Sequence, residues 1–184
     1  MNLLIAGLVV FFVPHVVPWW PAARSALVSR LGENGYKIAF TIVSLIGIVL
    51  VVIGKSRAPF EMVWAVDPAM GHVTRPLVLL GFILLPAAHM KTNIKRFTRH
   101  PMLWGVVLWG VGHLLSNGDR ASAILFGSFV AYSLLAMLSA NARGARKSTT
   151  VYPFSKDIMV VVAGVVAYGV LTLAHGWLFG YPLI

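Results

Sequence analysis

The chain has 184 residues, 59% of them hydrophobic and only 11% charged, with a net charge of +10 and no cysteine. A soluble domain usually carries about 25% charged residues, so this balance excludes a water-covered globule, and the missing cysteine excludes disulfides, thiolate nucleophiles and Cys-ligated metals. The basic residues sit in short segments between apolar runs, without the interleaved aromatics of a nucleic-acid surface, which points to membrane orientation and anionic lipid.

Six stretches approach the roughly 20 apolar residues that a helix needs to cross the hydrocarbon. They are 2–20, 36–54, 75–90, 101–116, 121–140 and 158–179. The first follows Met1-Asn2-Leu3-Leu4, which has neither a positive n-region nor an Ala-x-Ala cleavage site, so it reads as a retained helix. Kinks are expected near Pro14 and Pro18. The third and fourth stretches are short and either begin in the interface or span less fully. Trp19, Trp20, Trp64 and Trp177 fall at predicted helix ends, as an aromatic belt does. Ala123, Gly127 and Ala131 form a small-residue stripe on the fifth helix, which predicts close approach of a neighbour there. Asn117-Gly118-Asp119 is a turn signal after the fourth. No internal repeat and no second domain is visible. The expectation is a single domain, 1–184, folded as an all-α integral membrane bundle of about six transmembrane helices.

Lys and Arg are unevenly divided between the two sides. The segments after the first, third and fifth helices hold Arg24, Arg30, Lys37, Lys91, Lys95, Arg96, Arg99, Arg143, Arg146, Lys147 and Lys156. The other side holds Lys55, Arg57, Arg75 and Arg120. The positive-inside rule then puts the richer segments in the cytoplasm and both termini outside.

The acidic residues Glu33, Glu61, Asp67, Asp119 and Asp157 lie in predicted loops or at helix ends. No intramembrane carboxylate pair, Gly-rich phosphate loop, nucleophile elbow or His-Glu-x-x-His pattern is present. The histidines carry the stronger signal. His15, His100, His113 and His175 lie in or at the edge of apolar helices, His89 ends the third, and His72 falls in an outer loop. An ionisable side chain within the membrane usually faces the bundle interior. Its plain role is a hydrogen bond to a neighbouring carbonyl; its functional role is ligation, because neutral imidazole suits haem iron. His100 and His113 are separated by 13 positions, or roughly 20 Å of helix, so they cannot share one iron. By depth, His113 pairs most easily with His175, and His15 with His89 or His100; His15 with His113 needs tilt or kinks. Arg99, beside Lys95 and Arg96, reads either as a lipid headgroup contact or as a clamp for propionate, phosphate or carboxylate.

The run Arg99-His100-Pro101-Met102-Leu103-Trp104-Gly105, with Leu108-Trp109, His113-Leu114-Leu115 and Asn117-Gly118-Asp119, resembles the signature of the NnrU family of bacterial membrane proteins. His15, Leu31-Gly32-Glu33 with Tyr36-Lys37, Leu125-Phe126-Gly127-Ser128 and the end from His175 to Pro182 extend the resemblance over nearly the whole chain. It implies a bacterial inner membrane, where the outside termini expected from the Lys and Arg bias would be periplasmic, and an association with nitric oxide and nitrite metabolism in denitrification. The family is also similar to the plant zeta-carotene cis–trans isomerase, a haem b enzyme, and that likeness implies His15 and His113 as metal ligands. The isomerase has a cysteine three residues before the second ligand; this chain has Gly110, so cysteine-dependent ligand exchange is absent. The Arg-His-Pro segment also resembles the isoprenylcysteine methyltransferases, where it helps to hold S-adenosylmethionine. They need acidic residues after the motif, and here only Asp119 and Asp157 follow.

Three functions remain open. One is a haem b protein acting in redox or nitric oxide chemistry, or isomerising a lipophilic small molecule, with His15, His113, His100, His175 and Arg99 as candidate cofactor residues. Another is an S-adenosylmethionine-dependent methyltransferase. The last is a non-enzymatic assembly or regulatory factor. The expected partners are membrane lipid and a lipophilic small molecule, not nucleic acid.

Overall fold

The structure is a computed structural model and describes residues 1–181 and Leu183; Pro182, the last residue of the family-like end, lies outside the described residues. The chain is all-α. Among the described residues, the one strand-like pairing is an isolated bridge between Met62 and Asp119. Among the described residues, five helical segments are long and apolar enough to cross a bilayer: Asn2–Trp19, Pro21–Ser56, Pro68–Ala87, Arg120–Ala142 and Phe154–Phe179. A shorter apolar helix, Pro101–Ser116, supplies the sixth expected element. The chain divides into two compact units, Met1–Glu61 and Met62–Ile184.

The first unit is an antiparallel hairpin of α1 (Asn2–Val16) and α2 (Pro21–Ser56), joined by a 3-10 turn, Val17–Trp19. Its register is visible at the glycines. A Cβ on Gly7 would stand 2.6 Å from the Val51 nitrogen, and one on Gly47 would stand 2.7 Å from the Phe11 backbone. With no side chain at these positions, the two backbones touch, and Leu4, Leu8 and Val51 close the seam.

The 21–35 segment, expected as a loop, is helical. Pro21 occupies the first helical position, where its missing N–H costs nothing. A straight helix of 36 residues would run to about 54 Å, well beyond a bilayer core of about 30 Å. The helix breaks at Gly32, whose φ of 71° and ψ of 163° suit glycine alone. Around the break, Glu33 accepts from Arg24 at 2.8 Å and pairs with Lys37 at 3.5 Å, while the Arg24 guanidinium lies 5.4 Å over the Tyr36 ring. The Leu-Gly-Glu…Tyr-Lys segment is therefore a bend with its own charge clasp.

The second unit holds α3 (Gly71–Ala87), the short α4 (Ile94–Phe97), α5 (Pro101–Ser116), α6 (Arg120–Ala142) and α7 (Phe154–Phe179). α3 packs against both α5 and α7, and α6 packs against α5. α3 and α5 approach each other backbone to backbone. A Cβ on Gly81 would stand 2.8 Å from the Gly105 carbonyl oxygen, and one on Gly105 would stand 2.8 Å from that of Gly81. Thr74 Oγ1 adds a bond to the Gly112 carbonyl at 3.0 Å and one of 2.6 Å with Ser116 Oγ. On α7, Gly164 meets the Ile83 backbone.

Two further expectations are corrected. The stripe Ala123, Gly127, Ala131 is not the packing face of α6: among the described residues, nothing lies within 4 Å of a Cβ built on Gly127. The buried face carries Ala121, Ser122, Leu125, Phe126, Ser133, Ala136 and Met137. Small-residue spacing permits close approach but does not place a neighbour. His72 belongs to the first turn of α3 rather than to an outer loop, because the preceding 3-10 turn, Pro68–Met70, is capped by Asp67 and starts the helix early.

Candidate functional site

Three of the sequence-derived candidates mark the two ends of α5, Arg99 and His100 just before it and His113 in its last turn, while His15 lies on α1 and His175 on α7. At the C-terminal end of α5, His113 directs Nδ1–H to the Trp109 carbonyl at 2.8 Å. Its ring stacks on Phe126, with centroids 4.5 Å apart and planes 24° apart, and Trp109 contacts Phe126 and Phe129 edge-on. The imidazole is thus held in an aromatic shell with one nitrogen committed, which assigns Nε2 as the nitrogen a metal would take. His175 of α7 likewise turns Nδ1–H to a carbonyl, that of Tyr181, at 2.6 Å. In the first unit, His15 repeats this arrangement: Nδ1–H donates to the Phe11 carbonyl at 2.6 Å, between the rings of Phe11 and Phe40. Among the described residues, no three His, Cys, Asp or Glu side chains gather as a metal site.

Asn117-Gly118-Asp119 fixes this end of the helix. Asn117 Nδ2 donates to the His113 carbonyl at 2.9 Å. The Gly118 carbonyl accepts from Val63 N at 2.8 Å and Trp64 N at 3.2 Å. Asp119, 5% exposed, caps α6 by accepting from Ser122 N at 2.9 Å and Ser122 Oγ at 2.5 Å. Its evident work is structural, as a turn and cap beneath His113.

At the N-terminal end, Arg99 and His100 do come together. Both aim at one acceptor, the Asn141 amide oxygen near the end of α6, with Arg99 Nη1 at 3.0 Å and His100 Nε2 at 2.9 Å. Two clefts flank them. One, of about 400 Å³, has Trp104, Leu134, Met137 and Leu138 as its apolar wall. The other, of about 370 Å³, takes Lys95, Arg146, Lys147 and Ser148. Sequence reasoning missed Asn141; its only trace is the helical spacing Leu134, Leu138, Asn141, which puts an amide at the end of an apolar stripe.

The segment beyond α6 is anchored by a network that was equally unforeseen. Asp157 accepts from Thr92 Oγ1 at 2.6 Å, Asn93 N at 2.8 Å and Asn93 Nδ2 at 2.7 Å. Asn93 also exchanges bonds with the Tyr152 backbone at 2.8 and 2.9 Å. Ser148 N donates to the Lys95 carbonyl at 3.0 Å. Together these fix the wall that carries Arg146 and Lys147.

Comparison with protein families gives a match to the family described as NnrU protein over residues 3–183. Neither the curated proteins nor the solved structures gave a match.

Proposed function

The chain belongs to the NnrU family, and on that premise we propose that it is a haem-b-binding membrane protein in which His113 gives its Nε2 to the iron. The observation that carries this reading is the setting of His113: Nδ1 is held by the Trp109 carbonyl and the ring is stacked on Phe126. A ligating histidine needs its other nitrogen fixed so that tautomer and ring orientation are set, and a macrocycle needs an apolar, aromatic surround. The residues present fit that group. His175, in the same unit, has the same carbonyl-directed Nδ1. His15, which the resemblance implies as a ligand, has it in the first unit. Arg99 and His100, roughly 20 Å along the helix from His113, take no part in ligation.

Haem at this position would supply one-electron and nitric oxide chemistry, in keeping with the nitrite and nitric oxide metabolism with which the family is associated. The residues of the chain orient the imidazole, through the Trp109 carbonyl, and exclude water with Trp109, Phe126 and Phe129. Isomerisation of a lipophilic substrate is the other function the resemblance implies. Gly110 weighs against its cysteine-dependent form, since a Cβ there would stand 2.6 Å from Val130 Cγ2. Methyl transfer is disfavoured because no carboxylate is among the residues lining the Arg99 clefts. We place the protein in the bacterial inner membrane with both termini periplasmic, a reading supported by the crowding of Lys and Arg into the segments after α1, α3 and α6.

The test is an absorption spectrum of protein made in haem-replete cells and purified in mild detergent. A Soret band weakened by His113→Ala is expected; protein without haem ends the proposal. Whichever of His15→Ala and His175→Ala also shifts the band identifies the second ligand.

A further inference from the structure

The Arg99 end of α5 has the chemistry of a binding site that haem ligation at His113 leaves unused. Lys95, Arg99, Arg146 and Lys147 surround its two adjoining clefts. No Asp or Glu is among the residues that line either cleft, so the four cations share the site without a carboxylate in its lining. Gathering like charges without a counter-ion raises the energy of the site, and an anion lowers it. Membrane orientation explains why basic residues lie in these segments. It does not explain why Arg99 and His100 both converge on the Asn141 oxygen, a contact that holds the two donors at the junction of the clefts.

The apolar wall gives the rest of the ligand. Leu134 and Leu138 stand one turn apart on α6, with Asn141 next along the same face. Trp104 is one turn beyond His100 on α5, its backbone N–H donating to the His100 carbonyl at 3.0 Å. Trp104 and Leu134 are each 42% exposed and Leu138 is 65% exposed, so the trench is open along its side. An apolar trench that runs into a cationic end matches a molecule with a hydrocarbon tail and one anionic head.

We propose that this trench binds a single-headed anionic amphiphile, its carboxylate or phosphate held by Arg99, His100 and Lys147 and its tail laid along Trp104, Leu134 and Leu138. The inference is independent of haem ligation at His113.

The experiment uses the full chain in a neutral maltoside detergent, titrated calorimetrically with oleate and with oleoyl lysophosphatidate. Monoolein and inorganic phosphate serve as tail-only and head-only probes. Saturable binding with one ligand per chain is expected for oleate, lysophosphatidate or both, and the stronger of the two identifies the head. Arg99→Gln and Asn141→Leu should each weaken it about tenfold or more, as loss of a charge-assisted contact or of its positioning does. Arg30→Gln, a basic site outside the trench, should leave it unchanged. Equal weakening by Arg30→Gln would mean diffuse surface charge and overturn the proposal, as would equally tight binding of monoolein or of phosphate alone. Saturable binding of S-adenosylmethionine that Arg99→Gln abolishes would also overturn it. A circular dichroism spectrum confirms that each variant is folded, and Arg99→Lys, which keeps the charge, should recover part of the affinity lost in Arg99→Gln.

Discussion

The contact between α3 and α5 can be tested with single methyl groups. In Gly81→Ala the new Cβ would stand 2.8 Å from the Gly105 oxygen, about 0.7 Å inside a comfortable nonbonded distance. The obstacle is backbone, so it cannot rotate away and the helices must part. Overpacking of this kind costs about 1–3 kcal/mol, and the better helix propensity of alanine returns about 1 kcal/mol at most. The net expectation is a loss near 1 kcal/mol, or a Tm lower by about 2–4 °C for a chain of this size. Gly105→Ala strikes the reciprocal oxygen at the same 2.8 Å and should behave alike. Because both methyls press on one approach, the double variant should lose less than the sum, by about 0.5–1 kcal/mol. Gly127→Ala is the control: nothing among the described residues lies within 4 Å of its Cβ, so stability should hold or rise by up to about 1 kcal/mol. Thermal unfolding in detergent, followed by circular dichroism, reads all four variants. If Gly127→Ala were as costly as Gly81→Ala, or the double variant strictly additive, the packing argument would be wrong.

Substitutions at two other positions probe the cap of α6 and the interior of α5. Asp119→Ala removes the cap that accepts from Ser122 N and Oγ and should cost about 1 kcal/mol, while Asp119→Asn, also a good cap, should recover most of it; urea or thermal unfolding reads the difference. Gly110→Cys, which restores the residue type found in the isomerase, should lower Tm and add no thiolate ligation, because Val130 Cγ2 and the Phe126 carbonyl already occupy the space beside Cα. A new thiolate-type absorption band in that variant would contradict this.

The apolar runs were legible because hydrocarbon length sets a periodic demand that composition must meet, and five long helices and one short one stand where the runs are. What was not legible depended on which neighbour each face meets. The stripe on α6 satisfied the spacing rule, yet the glycines that bring backbones together lie on other helices: Gly7 and Gly47 in the hairpin, Gly81 and Gly105 on α3 and α5, and Gly164 on α7. The helical 21–35 segment carries enough charge to read as a loop, and only the Gly32 break with its Glu33 clasp reconciles it with the hairpin. At the candidate site, Arg99 and His100 were visible as a motif, but Asn141 lies more than 40 positions away and only tertiary packing brings it to them. The Thr92, Asn93 and Asp157 network was hidden for the same reason.

Haem ligation by His113, whose Nδ1 is held by the Trp109 carbonyl, is open to direct test. The most direct measurement compares the absorption spectra of the wild-type protein and His113→Gly, both made in haem-replete cells, with and without added imidazole. The wild type should show a Soret band, which should be lost or shifted in His113→Gly and return when imidazole fills the vacated position. A folded wild-type protein without haem, or a His113→Gly spectrum identical to the wild type, would contradict it.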